Sequence, residues 1–213
     1  CIGDLINAIL ADHGLPAATV PHAPGVVHGY VVADPGSPRA ALEPITELFG
    51  LSVCEGPAGF LFQRQGSADD APPDLTELVL AEDAAVADLI RIPDHELPVE
   101  AVLGFRDRFH EHQSLTARAL RIGAAGSRQQ VIDFPGLLDP GQARALLDDW
   151  MRRAWSERES ARFAIASPRE DVAPGALVRL PDIDPDAEFL VAEIEDAVKA
   201  FACAAARLTG EEG

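Results

Sequence analysis

The chain has 213 residues, with 35 Asp and Glu against 17 Lys and Arg, and hence a formal net charge of −18. That balance disfavours direct binding to duplex DNA or to an anionic membrane, both of which depend on basic neutralisation. The length suits one large domain or two small ones, and 17 prolines and 17 glycines indicate many turns and short elements.

Residues 4–13 place Leu5, Ile6, Ile9 and Leu10 on one helical face, and Gly14 follows as a C′ residue. Residues 26–32 form a β-rich run carrying the single tyrosine, Tyr30. Ser37-Pro38 opens a second helix with Leu42, Ile45, Leu48 and Phe49 inward and Gly50 as its stop. Pro44 removes the bond to the Ala40 carbonyl, so a kink is expected there rather than a break. Residues 51–55 and 60–64, joined by Gly56-Pro57-Ala58-Gly59, read as a β-hairpin. These pieces make a small α+β domain over residues 1–66, followed by a linker and connecting segment over 67–98. Within that segment, 75–80 reads as a short strand, and 84–90 is apolar but weakly patterned.

From Val99 the period becomes two, with Val99, Ala101, Leu103 and Phe105 alternating with their neighbours. Residues 115–121 read as an antiparallel partner and 129–134 as a third strand. A long amphipathic helix over 140–160 follows, with Asp139 as N-cap and Pro140 at the first helical position. Leu146, Leu147, Trp150, Met151, Ala154 and Trp155 line one face of it, which makes this helix the anchor of a core. Strands are expected at 161–167, 176–180 and 189–195. Residues 198–208 divide two rules, since their alanines favour helix while their position after a strand favours another strand.

Chemistry-bearing patterns are sparse. His110-Glu111-His112, placed on a strand, would turn two imidazoles to one face, yet no third metal ligand is set by spacing. Cys1, Cys54 and Cys203 are odd in number without metal-type spacing, and read as reduced core or inert thiols rather than nucleophiles. Asp148-Asp149 and Asp182-Ile183-Asp184 read as solvated carboxylates. The run to Asp186 has some Ca²⁺-like character but no EF-hand glycine or terminal glutamate. The Gly123–Gly126 stretch lacks the lysine of a phosphate loop. No catalytic, cofactor-binding or metal-binding residue is assigned, and no cofactor is implied. No apolar run approaches the length of a membrane span. A start at Cys1 rather than Met suggests a segment of a longer polypeptide, and a lipidated cysteine remains a formal alternative.

A series of short motifs in order carries a resemblance over nearly the whole chain. It comprises Val27-His28-Gly29-Tyr30-Val31-Val32, Ser37-Pro38-Arg39-Ala40-Ala41-Leu42-Glu43-Pro44 and Phe49-Gly50, then Glu96-Leu97-Pro98-Val99, Gly104-Phe105-Arg106-Asp107 and His112-Gln113. Ala154-Trp155-Ser156-Glu157-Arg158-Glu159 running into residues 161–166, and Ala173-Pro174-Gly175-Ala176-Leu177-Val178, complete it. The chain resembles the hub domain of tail-tip proteins of long-tailed phages. It is similar to the large baseplate "megatron" proteins of alphaproteobacterial gene transfer agents and related siphophages. It departs from them at Pro174-Gly175-Ala176-Leu177, where relatives often carry Pro-Gly-Asp-Val, and in its alanine-rich end.

The resemblance implies an α+β chain with two parts. A small α/β-hairpin domain would be followed by an antiparallel β-barrel-like hub (tube) domain over 99–213, carrying one long amphipathic helix. It implies a structural component of a phage-like tail that forms a homotrimer in the full-length protein and contacts neighbouring tail and baseplate proteins. Such a component adapts the six-fold tube to the three-fold tip and borders a channel through which DNA passes without specific binding. The alternatives are a cell-wall-degrading hydrolase module, signalled by two close carboxylates or a cysteine near a histidine, and a host-surface binding module, signalled by exposed aromatics.

Overall fold

Ile2, Ile6, Ile9 and Leu10 are all buried in the computed structural model, and their spacing makes α1 (Ile2–Asp12). The helix ends in a Schellman arrangement. The Gly14 N–H donates to Ala11 O at 3.0 Å and the Leu15 N–H to Leu10 O at 2.9 Å, with Gly14 at φ +70°. The structure describes residues 1–21, 25–32, 36–56, 59–65, 71–79, 86–167, 169, 171–197 and 200–208.

Of the β-rich run at 26–32, only Gly29–Tyr30 becomes a strand, β1, while Val26, Val31 and Val32 stay exposed. In α2 (Pro38–Phe49) the Ser37 hydroxyl accepts the Ala40 N–H at 3.2 Å, Pro38 stands at the start and Gly50 closes the end in the left-handed conformation. The helix continues through Pro44 without a break, because Ala41, Leu42, Ile45, Leu48 and Phe49 hold its inner face in the core. β2 (Leu51–Gly56) and β3 (Gly59–Arg64) form the expected hairpin, Gly56 opposite Gly59. Thr19 occupies the outer edge of β3, donating to Phe60 O and accepting from the Phe62 N–H, both at 2.9 Å.

β4 (Ala87–Arg91) and a short 3-10 turn (Asp94–Glu96) lead into β5 (Glu100–Asp107), β6 (Ser114–Leu120) and β7 (Gln129–Leu138). These strands form a four-stranded sheet in the order β1-β7-β5-β6. The expectation of antiparallel pairing holds for β5 with β6 and fails for β7, which lies parallel to β5. The mainly buried β5 takes the centre, so the chain crosses the sheet end after β6 and pairs β7 on the far side, pointing the same way as β5.

α3 (Pro140–Ser156) is started by Asp139, whose carboxylate accepts the Gly141 N–H at 2.8 Å. Ala143, Leu146, Leu147, Met151 and Trp155 are buried along it. It stops at Ser156 rather than 160, because the next residues are drawn into strand pairing: Arg158 O accepts the Ile92 N–H, and Glu159 opens β8 (Glu159–Ile165) opposite Arg91. β9 (Leu177–Leu180), β10 (Asp184–Ala197) and β11 (Ala200–Leu208) complete a five-stranded antiparallel sheet, β4-β8-β11-β10-β9. β10 is longer than expected and carries register shifts between Asp184 and Glu188 and between Val191 and Glu193. The alanine-rich end is a strand because β11 is hydrogen-bonded on both sides, with Cys203 and Ala205 buried. Residues 75–79 do not form a strand; bridges at Asp74 and Leu78 tie them to Arg179 and Ile165. The expectation for Leu80 lies outside the described residues.

The chain divides into two compact units, each made of two segments, with breaks after Arg64, Pro93 and Ala154. The first holds Cys1–Arg64 and Asp94–Ala154, the second Gln65–Pro93 and Trp155–Gly213. Pairing of β1 with β7, and packing of the Tyr30 and Phe49 rings on Phe134 at 5.6 and 5.9 Å, join residues 94–154 to the first sixty-four. Pairing of β4 with β8 makes the connecting segment part of the second unit, whose core includes Leu75, Phe163, Val178, Phe189 and Val191. The fold is a mixed α+β arrangement of open sheets. Among the described residues no sheet closes into a barrel.

Candidate functional site

The β5–β6 connection carries the chain's most unusual local structure. Asp107, at the end of β5, is fully buried. Its Oδ1 accepts the Phe109 N–H at 2.9 Å and its Oδ2 meets His110 Nδ1. The backbone donation from Phe109, then His110, hold the carboxyl below the ordinary carboxylate range against the opposing effect of desolvation. Glu111 and His112 both adopt positive φ, 47° and 60°, which L-residues enter at a cost. The turn is therefore fixed from beneath, and it raises Phe109, 61% exposed, with the Arg108 guanidinium 5.3 Å from its ring centre. Arg108 Nη1 also lies 2.8 Å from His28 Nε2, a geometry in which the arginine donates and the imidazole nitrogen accepts. Arg106 and Arg108 here stand beside Asp107 and Glu111, so the two signs of charge are balanced in this turn.

Elsewhere in the first unit, α2 and the β2–β3 hairpin border an apolar groove of about 480 Å³. Leu15, Leu42, Thr46, Val53, Phe60 and Phe62 lie along it, with Arg39 and Glu43 at the rim. Exposed apolar side chains on the outer face of the four-stranded sheet include Leu120 of β6 and Val131 of β7. β6 is the sheet's edge, a strand of the kind that pairs with further chain unless blocked.

The residues weighed from sequence do not converge. The His110–His112 stretch lies in the turn rather than on a strand, and His110 is taken up by Asp107. Among the described residues no three His, Cys, Asp or Glu side chains are grouped to hold a metal ion. Cys54 lies in β2 and Cys203 in β11, and burial pushes both thiols up, away from the thiolate a nucleophile needs. Asp184 is bound by Arg207 Nη2 at 2.6 Å, and Arg207 also meets Glu159, so Asp184 is engaged by a guanidinium in this structure. Gly123 and Gly126, both at positive φ, serve the crossing between β6 and β7.

Asp149, read as a solvated carboxylate, is instead a half-buried hub. It takes Arg152 at 2.8 Å, Arg153 at 3.2 Å and Arg64 at 3.3 Å. The i,i+3 and i,i+4 spacing to Arg152 and Arg153 is visible in sequence; the long-range partner Arg64 is not. Asp107 had no sequence signal beyond an acid beside a turn. These arrangements hold segments of the chain to one another, and the turn, groove and sheet edge are exposed features of the first unit.

The fold is that of tail components of phage-like particles. The chain is similar to a chain in the virion of a native gene transfer agent particle, with a TM-score of 0.86 at 21% identity over 98% of this chain and 47% of that one. It is also similar to a tail protein of Neisseria meningitidis MC58, with a TM-score of 0.62 at 14% identity over 99% of this chain and 67% of the other. The 43 kDa tail protein of prophage MuSo2 from Shewanella oneidensis gives 0.58 at 14% identity, over 96% and 65%. Thus the chain spans about half the length of the gene transfer agent chain it matches. No curated protein matches it in sequence. Residues 37–194 match the sequence profile of the family described as "Putative phage tail protein", and the chain belongs to that family. Its place is the tail of a phage-like particle. Among the described residues no helix is long and apolar enough to cross a membrane.

Proposed function

We propose that the chain is a structural hub segment of the tail tip, within a protein that forms a homotrimer, joins the tail tube to the tip and borders the channel by which DNA leaves. The observation that carries this reading is the likeness to the gene transfer agent virion chain across 98% of the residues. Exposed Leu120 and Val131 on the outer face of a sheet whose edge strand β6 is open support self-association, since apolar surface near unpaired backbone favours burial in an assembly. A net charge of −18 suits a conduit that repels the DNA backbone rather than holding it. The role is structural rather than enzymatic. Raised thiols at Cys54 and Cys203 and an Asp184 engaged by Arg207 lend no support to a hydrolase module.

Light scattering across a concentration series tests this. A mass rising towards three times that of one chain supports the hub reading, and a constant single-chain mass at all concentrations counts against an assembly surface within these residues.

A further inference from the structure

Residues 73–79 are tied to two strands of the five-stranded sheet in the second unit. The Leu75 N–H donates to Arg179 O and the Arg179 N–H to Pro73 O, both at 2.9 Å, on the side of β9 away from β10. Leu78 bridges Ile165, and the Val79 N–H donates to Ala164 O at 2.9 Å, on the side of β8 away from β11. In a flat sheet these two positions would stand five strand spacings, roughly 24 Å, apart. The four-residue step from Asp74 to Leu78 reaches about 14 Å at most. The sheet is therefore rolled, and the segment crosses the gap between β9 and the end of β8 that β4 leaves uncovered.

We infer that residues 73–79 are a latch, which when closed holds the roll and covers the β9 edge, and which opens on its own while the sheet stays folded. The latch lies wholly within the second unit and is independent of the hub reading.

Its hold is narrow. Leu75 is the one fully buried side chain of the segment, set in the core with Phe163, Val178 and Phe189, while Asp74, Thr76 and Glu77 are exposed. Pro72 and Pro73 have no N–H to offer, and the Asp74–Arg179 ion pair is long, at 3.8 Å, and exposed. By contrast, β11 is paired along its length, to β10 on one side and to β8 on the other. A segment with one apolar anchor and few backbone bonds opens at a lower free energy than the sheet it crosses. Opening frees the outward N–H and C=O of Arg179, so the latch sets whether the β9 edge is guarded.

Native-state hydrogen exchange on the chain, followed residue by residue by NMR at low urea concentrations, tests the latch. The Leu75, Val79 and Arg179 amides should exchange at least about a hundredfold faster than those of Cys203 and Ala205 in β11, with little dependence on urea, because opening the latch exposes little surface. Arg179 is the decisive reporter. Its N–H faces the latch, whereas that of its neighbour Val178 faces β10 and should keep the protection of the sheet. Leu75→Ala should speed the three latch amides by about a further hundredfold, as loss of a buried leucine anchor does. A folded Leu75→Ala chain whose latch amides are no faster overturns the inference. So does an Arg179 amide that exchanges as slowly as that of Val178, with the same urea dependence, since latch and sheet would then open together. This second comparison uses the wild-type chain and holds whether or not the variant folds.

Discussion

The guanidinium of Arg153 fills the space a side chain at Gly50 would need. A Cβ added to Gly50 would lie 2.7 Å from Arg153 Cζ. Arg153 Nη2 reaches the Glu47 and Leu48 carbonyl oxygens at 3.1 and 3.2 Å, so a cation from α3 caps the C-terminus of α2. Gly50 is thus favoured by its φ of +60°, and a side chain there would also push the Arg153 guanidinium aside.

Gly50→Ala is expected to destabilise the first unit by about 2 kcal/mol, combining left-handed strain with a displaced Arg153. Gly14→Ala, at φ +70° with open space around it, should cost only about 1 kcal/mol. Urea unfolding midpoints of the two variants measure the difference, and equal losses would remove the role given to Arg153.

Tyr30 donates its hydroxyl to Ala41 O at 2.8 Å, and burial pushes its phenol up to about 12. A folded value above the unfolded one near 10 means that stability is fully present below about pH 10 and is lost as pH rises towards 12. Tyr30→Phe should cost about 1 kcal/mol at neutral pH and remove this part of the alkaline loss. Unfolding free energies of both proteins at pH 7 and pH 11 are the check.

Asp107 gives the opposite sign. Its folded carboxyl is depressed, first by the Phe109 N–H and then by His110, so its contribution is present above the ordinary carboxylate range and fades as pH falls through the lower folded value. Asp107→Ala should therefore lower the melting temperature at pH 7, and the gap to wild type should shrink under acid. A gap that widens under acid contradicts the assignment.

Arg207 links Glu159 to Asp184 in the second unit, while Arg91 adds a contact to Glu159 at 3.4 Å. Arg207→Leu is expected to cost about 2 kcal/mol, because two partly buried carboxylates lose their shared cation. Arg169→Leu breaks only the exposed pair with Asp171 and should cost less than about 1 kcal/mol. Thermal unfolding at low and high salt separates them, since the exposed pair is the more readily screened.

Local elements were legible in the sequence where one short pattern decides them. Ser37-Pro38 and Gly50 fix both ends of α2, Gly56 and Gly59 close the hairpin, and alternation marks β5. What was not legible depends on distant partners. The parallel placement of β7 depends on β5 taking the sheet centre, and the strand state of the alanine-rich end depends on β8 and β10 flanking it. The two-unit division arises because β1 pairs a strand about a hundred residues later, which no linker composition reports. At the candidate site, His110-Glu111-His112 drew notice for its imidazoles, while the organising group was the neighbouring Asp107, buried by the fold.

The central claim is that the chain sits in a three-fold hub at the end of a tail. Its most direct test is electron cryomicroscopy of particles carrying the full-length protein, with this segment bearing a small tag. The account predicts three tagged copies at the distal end, around the tail axis. Tags repeated along the tube, or found on peripheral fibres, would contradict it.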